Sequence, residues 1–183
     1  SVYANLFEAE KLEGAIDYLE FGVWQGSSLR WWLERNKNPE ARFVGFDTFQ
    51  GLPEDWEFGG RGQFSTQGRP PDIPDPRCRF EVGLFQQTLP AFLRGFRGDR
   101  RKVINLDADL YSSTLFVLMS LAPFLRRGDV LIFDELVSFE HEFRAFCHFL
   151  DAYPLPFTAL ARNWSWWQLA VRIEADQPQF DLR

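Results

Sequence analysis

Short apolar runs alternate with segments of helical periodicity along most of the chain. Strands are predicted at 15–24, 41–47, 78–85, 102–110 and 129–136, and helices at 27–35, 88–93, 112–125 and 140–153. The tail, 157–173, has the pattern of two strands joined around Arg162 and Asn163, which predicts a hairpin. This alternation is typical of an α/β fold. We expect a mostly parallel seven-stranded sheet with helices on both faces and a C-terminal β-hairpin.

The segment 48–76 breaks this pattern. It is rich in glycine and proline, has no clear periodicity, and is much longer than the usual connection of about 4–6 residues. It is either a disordered insertion or a lid that packs over a site, and its aromatic residues Trp56, Phe58 and Phe64 favour the lid. The 183 residues are expected to form a single domain, 1–183, with its own core.

Composition excludes several kinds of partner. The formal net charge is −6 and no long Lys/Arg run is present, so nucleic acid is not expected, because phosphate binding needs clustered positive charge. No apolar stretch approaches the roughly 18 residues of a membrane span, so no membrane partner is expected either. Cys78 and Cys147 have no disulfide or metal-ligand spacing, which fits a reducing, cytoplasmic setting.

Acidic residues lie at the ends of four predicted strands. They are Glu20, Asp47, Asp107, Asp109, Asp134 and Glu135. In a parallel sheet the carboxyl ends of the strands meet at one edge, where ligands bind. Carboxylates gathered there repel one another, so either a cation compensates them or their pKa values rise.

The stretch YLEFGVWQGSS, residues 18–28, follows the first strand and has three readings: a phosphate cradle, a pocket for another ligand, or a plain strand-to-helix turn. A dinucleotide-binding loop needs G-x-G-x-x-G, because its middle glycine lets the backbone approach a pyrophosphate. Here Trp24 fills that slot between Gly22 and Gly26, which disfavours a pyrophosphate. A nucleoside with a charged amino-acid tail, S-adenosylmethionine, fits better, and Asp47 is placed to accept its ribose hydroxyls.

Five motifs resemble those of the macrocin O-methyltransferase (TylF-type) family of class I S-adenosylmethionine-dependent methyltransferases. They are LEFGVWQGSS (19–28), VGFDTFQGLPEDW (44–56), GLFQQTLP (83–90), INLDADLYSST (104–114) and LIFDEL (131–136). The resemblance covers nearly the whole chain and implies a Rossmann-like fold. It also implies methyl transfer to a hydroxyl of a small-molecule acceptor, a sugar or another natural-product intermediate.

The resemblance also implies a set of cofactor-binding residues. They are Glu20, Gly22, Trp24, Gly26 and Ser28 for the methionine end, Asp47 and Thr48 for the ribose, Gly83, Leu84, Phe85 and Gln86 for adenine, together with Asp107. Mg²⁺ or another divalent cation is expected on Asp107, Asp134 and Glu135. Asp107 is the first candidate for the catalytic base and His141 the second. Asp109 is expected to contact the metal ligands or the substrate.

Some positions depart from the family pattern. Glu135 stands where an Asp is common, and Leu110 stands where catechol-type enzymes have a catalytic lysine. About 14 residues precede the first strand, so either the chain is trimmed or its substrate pocket is open. Trp164, Trp166 and Trp167 are expected to serve the core or a subunit contact in a homo-oligomer, with substrate stacking as the alternative.

Two rival functions stay open at this point. One is a nicotinamide-dependent oxidoreductase on a similar sheet, against which Trp24 and the missing third glycine argue. The other is a non-catalytic module that binds S-adenosylmethionine but has lost the chemistry.

Overall fold

The computed structural model describes residues 2–56, 59–135, 139–162 and 167–176. A seven-stranded sheet forms its centre, in the order β3-β2-β1-β4-β5-β7-β6. The strands are β1 (Ile16–Phe21), β2 (Arg42–Asp47), β3 (Cys78–Val82), β4 (Arg101–Leu106), β5 (Val130–Phe133), β6 (Phe157–Arg162) and β7 (Leu169–Ile173). The helices are α1 (Val2–Ala9), α2 (Ser27–Arg35), α3 (Phe85–Leu93), α4 (Tyr111–Leu121) and α5 (Glu142–Ala152), with a 3₁₀ turn at Ala122–Phe124.

Strands β1 to β5 pair in parallel, whereas β7 runs antiparallel to both β5 and β6. Alternate residues of each strand point to opposite faces. In β1, Tyr18 belongs to the cluster packed by α1 and α2, and Leu19 to the cluster packed by α3, α4 and α5. Both faces of the sheet are therefore covered by helices. This confirms the predicted fold class, including the hairpin.

The largest differences from the sequence prediction lie at the strand ends. β1 ends at Phe21 and β4 at Leu106, several residues earlier than predicted, because the chain turns away from the sheet there. Asp107 and Asp109 consequently lie in the connection beyond β4. α2 has the predicted bounds, whereas α1 was not predicted. α1 is short, and it is held by burial of Leu6 and its neighbours against the aromatic rings of α2.

Residues 48–76, which we call the lid loop, are packed against the rest of the domain where the structure describes them. Leu52 N–H donates to the carbonyl of Gln63 at 3.0 Å, and this bond closes the loop on itself. The Ser112 hydroxyl on α4 donates to the Glu54 carboxylate and ties the loop to the domain. These contacts are those expected of a packed lid, and the lid role stays a prediction. Phe58 lies outside the described residues.

Strands β6 and β7 of the C-terminal hairpin are described, whereas residues 163–166 between them are not. Trp164 and Trp166 lie outside the described residues, and the side chain of Trp167 is 38% exposed. Across the described ranges, no helix is both long and apolar enough to cross a membrane.

Candidate functional site

A cavity of about 310 Å³ opens at the carboxyl ends of β1, β2, β4 and β5. This volume lies at the low end of the ~300–1,000 Å³ usual for small-molecule sites. The cavity is at the point where the strand order reverses between β1 and β4, which is where open α/β sheets bind ligands. Its lining residues are Gly22, Val23, Trp24, Asp47, Thr48, Gly51, Leu52, Pro53, Phe64, Leu84, Phe85, Gln86, Asp107, Ala108, Asp109, Ser113, Asp134 and Glu135.

The lining contains eight of the twelve predicted cofactor residues and all three predicted metal ligands. Gly83, Gly26, Glu20 and Ser28 are not in it, although each adjoins the segments that line it. Lid-loop residues Gly51, Leu52 and Pro53 were not predicted individually, and only the DTFQGLPEDW motif, which contains them, pointed to this wall.

The β1–α2 loop approaches the end of β4 very closely. Gly22 has φ +90°, and a Cβ at this position would lie 1.7 Å from the carbonyl oxygen of Asp107. Only glycine fits such a contact without moving backbone. Trp24 also has a positive φ, 50°, which is strained for a bulky residue, and its ring meets Phe64 of the lid loop edge-on at 5.5 Å. The loop therefore places an exposed tryptophan ring at the cavity wall.

Four N–H groups of this loop donate hydrogen bonds within the protein. The N–H groups of Val23 and Trp24 both donate to Oδ2 of Asp47, at 2.8 and 2.9 Å. Gly22 N–H donates to the carbonyl of Phe46, and Gly26 N–H to that of Val23. A phosphate cradle needs such amides directed at the ligand, so the structure argues against a pyrophosphate site more strongly than the position of Trp24 did alone.

Glu20 is fully buried beneath the loop rather than in the cavity wall. The Tyr18 hydroxyl donates to one of its carboxylate oxygens at 2.5 Å, and the Ser28 hydroxyl donates to the other at 2.7 Å. Burial raises the pKa of Glu20 to about 7, although these two hydrogen bonds act in the opposite direction. The geometry makes Glu20 and Ser28 a support that joins β1 to the start of α2.

The acids beyond β4 and β5 share a poorly solvated space. Loss of solvent raises the pKa of Asp107 well above its usual range, and the nearby Asp134 carboxylate adds to the rise. The pKa of Asp134 is raised for the same first reason, while a hydrogen bond from the Gln168 amide opposes the rise. Burial also raises the pKa of Asp109 to about 7, with Asp134 contributing. Burial and the neighbouring carboxylates are thus the causes of the raised pKa values in this group of acids.

The donor set suits a hard divalent cation, which prefers oxygen ligands. Among the described residues that line the cavity, five are carboxylates and none is basic. The described part of the chain nevertheless holds no group of three or more His, Cys, Asp or Glu side chains already arranged to hold an ion. Mg²⁺ is commonly bound through one or two carboxylates with water and substrate oxygens. Asp107 and Asp134 fit that arrangement better than a closed centre with three carboxylates.

His141 lies apart from the cavity lining. Its Nδ1 accepts a hydrogen bond from the N–H of Tyr111, the first residue of α4, at 3.3 Å. Its ring also contacts Trp56 of the lid loop, with centroids 6.4 Å apart. These contacts make His141 a link between α4, α5 and the lid loop.

Glu142 is a site residue that sequence reasoning missed. Its side chain is completely buried in the first turn of α5, and its two carboxylate oxygens accept the N–H groups of Ala108 and Glu135, each at 3.1 Å. Burial raises the pKa of Glu142 to about 8, and the acidic neighbours Asp134 and Asp109 act in the same direction. A Glu in the first turn of a helix is ordinarily a solvent-exposed dipole partner, so no sequence signal marked this one.

Comparisons with known proteins agree with this site. Residues 19–136 match the model of the methyltransferase-domain family. The 8-demethyl-8-(2,3-dimethoxy-alpha-L-rhamnosyl)-tetracenomycin-C 4'-O-methyltransferase of Streptomyces olivaceus is 32% identical over 144 residues, covering 65% of this chain and 52% of that protein. The calicheamicin methyltransferase CalS11 is 22% identical, with a TM-score of 0.69 over 93% of this chain and 75% of that one. The cmcI protein, solved with Mg and SAM, is 17% identical, with a TM-score of 0.63 over 95% of this chain and 70% of that one.

The family match extends over well more than half of the chain, so this protein belongs to the methyltransferase-domain family. The solved structures show the same fold. The chain spans about half the length of the curated relatives it matches.

Proposed function

We propose that this chain is an S-adenosylmethionine-dependent O-methyltransferase of the macrocin type, assisted by Mg²⁺ or another divalent cation. One observation carries the proposal: the described lining of the cavity has five carboxylates and no basic residue. A donor that carries a sulfonium and an ammonium group complements this charge, whereas a pyrophosphate does not. The N–H groups of Val23 and Trp24 also argue against a pyrophosphate, because they already donate to Asp47.

The acceptor is proposed to be a hydroxyl of a small molecule, a sugar or another natural-product intermediate. The Streptomyces olivaceus relative is named as a 4'-O-methyltransferase acting on a rhamnosyl compound, which supports this class. The two cysteines, neither of them in a disulfide, are compatible with the cytoplasmic location that we propose.

The positions of the side chains support the proposed cofactor-binding roles. Asp47 is fixed by the N–H groups of Val23, Trp24 and Phe49, so its carboxylate is held rigidly where ribose hydroxyls would be accepted. Leu84 and its neighbours at the start of α3 would flank adenine. When bound, S-adenosylmethionine supplies an electrophilic methyl group that the acceptor oxygen attacks.

The acids beyond β4 and β5 are proposed to act on the acceptor hydroxyl, by holding a divalent ion beside it and by accepting its proton. Asp107 and Asp134, with Glu135 beside them, would hold the divalent ion, and its presence there would lower the pKa of the acceptor hydroxyl. The acceptor's proton would pass to a carboxylate that faces the cavity, Asp107 or Asp109. His141 is a weaker candidate for the base, because its Nδ1 is already engaged outside the cavity lining.

Titration calorimetry with S-adenosylmethionine, with and without MgCl₂, tests the proposal. We expect binding in both conditions, and no binding of NADH. Asp107→Asn should weaken Mg²⁺ binding about tenfold or more, whereas Asp99→Asn, an exposed acid between α3 and β4, should leave it unchanged. Failure of the wild type to bind S-adenosylmethionine in either condition would overturn the proposal. Binding of the cofactor without any effect of Mg²⁺ or of Asp107→Asn would favour the non-catalytic module.

A further inference from the structure

The buried carboxylate of Glu142 joins the two chain segments that carry the cavity acids. Ala108, whose N–H it accepts, lies between Asp107 and Asp109 in the β4–α4 connection. Glu135, whose N–H it also accepts, directly follows Asp134 at the end of β5. One side chain therefore binds the backbone within one residue of each of these acids.

These two hydrogen bonds continue the contact between β4 and β5 after the sheet ends. The last register pair of the two strands is Leu106 with Phe133, and Asp134 N–H still donates to the carbonyl of Leu106 at 3.0 Å. Further along, the N–H groups of Ala108 and Glu135 donate to the two oxygens of the same carboxylate instead. Glu142 therefore forms a hydrogen-bonded bridge between two segments that no longer pair directly.

Burying this carboxylate costs free energy of folding that another side chain at this position would avoid. The side chain is fully buried, and the charged neighbours that act on it, Asp134 and Asp109, are themselves acidic. An apolar residue at this position would pack α5 without that cost. A carboxylate offers something that an apolar residue does not, namely two acceptors held at a constant separation.

We propose that Glu142 is a positioning residue that sets the spacing between Asp107 and Asp109 on one side of the cavity and Asp134 and Glu135 on the other. The inference rests on the proposed function, since the spacing matters for cation binding and for methyl transfer. It assigns no contact between Glu142 and a ligand. Groups that orient metal-binding carboxylates in this way commonly change metal affinity or activity about 10–100-fold when they are mutated.

Glu142→Gln is the most direct test, because it preserves shape and removes one of the two acceptors. The NH₂ group of the glutamine would face one of the two N–H groups, so one of the two hydrogen bonds is lost. Glu140→Gln is the matched control: it makes the same substitution two residues away, at a side chain that is 77% exposed and pairs with Arg144. Both variants are purified as the full chain, and each is checked for a cooperative unfolding transition.

Three measurements separate positioning from general stability. Amide hydrogen exchange should become at least about tenfold faster in Glu142→Gln at one of Ala108 and Glu135, the one that then faces the amide nitrogen. Calorimetry should show Mg²⁺ binding weakened about tenfold or more, with the affinity for S-adenosylhomocysteine changed less than about threefold. In turnover, kcat should fall by a similar factor, with little change in the KM for S-adenosylmethionine. Glu140→Gln should match the wild type in all three.

The outcomes distinguish this inference from the proposed function. If the wild type binds no S-adenosylmethionine, the proposed function fails, and amide exchange still decides whether Glu142 holds the two segments together. If the wild type binds and turns over, but Glu142→Gln keeps wild-type Mg²⁺ affinity and kcat, the positioning role is wrong. A lower melting temperature as the sole change would also overturn it, because that result describes packing only.

Discussion

Replacing Gly22 with alanine tests the close contact between the β1–α2 loop and the end of β4. The added Cβ would lie 1.7 Å from the carbonyl oxygen of Asp107, whereas ordinary contact begins near 3.4 Å. The two segments would have to separate by roughly that difference, and the bond from Asp107 N–H to the carbonyl of Phe21 at 2.9 Å would weaken or break. The positive φ adds about 1–2 kcal/mol, and overpacking together with the lost bond adds about 2–4 kcal/mol.

Two other glycines separate these contributions. Gly62 has φ +85° with nothing within 4 Å of an added Cβ, so Gly62→Ala should cost only the backbone strain of about 1–2 kcal/mol. Gly14 has neither a positive φ nor a close neighbour, so Gly14→Ala should be neutral or stabilise by about 0.5 kcal/mol.

Urea unfolding followed by circular dichroism gives the three free energies, and calorimetry gives the affinity for S-adenosylmethionine. We expect Gly22→Ala to lose about 4 kcal/mol of unfolding free energy, which is a large share of the ~5–15 kcal/mol typical of a domain. Its cofactor affinity should fall as well, because the cavity wall moves. If Gly22→Ala is no more destabilised than Gly62→Ala, the reasoning from steric approach is wrong.

Three further predictions concern buried charge and the cavity wall. Burial raises the pKa of Glu20 in the folded protein to about 7 from its ordinary value of 4.5, so ionisation opposes folding and the Glu20 contribution to the free energy of unfolding should fall by about 3 kcal/mol as pH rises from 4.5 to 7; because other buried acids also have raised pKa values, Glu20→Gln should reduce the wild-type slope by that amount in urea titrations rather than abolish it, and an unchanged slope would contradict the raised pKa. Trp24→Gly should leave stability within about 1 kcal/mol, since relief of the positive φ offsets the lost ring contact with Phe64, while calorimetry should show S-adenosylmethionine binding about tenfold weaker; unchanged affinity would remove Trp24 from the site. Lys102→Met should cost about 3–5 kcal/mol, because it leaves the buried Asp129 carboxylate without its cation at 3.0 Å; adding Asp129→Asn should recover part of the loss, and no recovery would argue against the ion pair.

Much of the site was predictable because its chemistry lies at strand ends. Asp47, Asp107 and Asp134 follow apolar runs directly, and a parallel sheet has to bring such positions to one edge. The structure places all three in the cavity lining. The roles of Glu20 and His141 were less predictable, because the fold decides which hydrogen-bond partners a side chain meets. Glu20 is bound by Tyr18 and Ser28, and His141 by the first amide of α4.

The sequence by itself determined the order of strands and helices from β1 onwards, the mostly parallel sheet, the hairpin and the edge at which the acids meet. These features follow from periodicities of side chains along the chain and from the rules of strand connection, which depend on local order. The methyltransferase motifs were also readable without coordinates, because each is contiguous.

Only the tertiary structure decided how those acids are held. The approach of Gly22 to Asp107 and the hydrogen bond from Ala108 to Glu142 join residues far apart along the chain, at separations that no local pattern encodes. A glutamate in the first turn of a helix and a glycine after a strand each have ordinary local explanations. Their function depends on which backbone groups the folded chain brings within about 3 Å, and that is a property of packing rather than of sequence order.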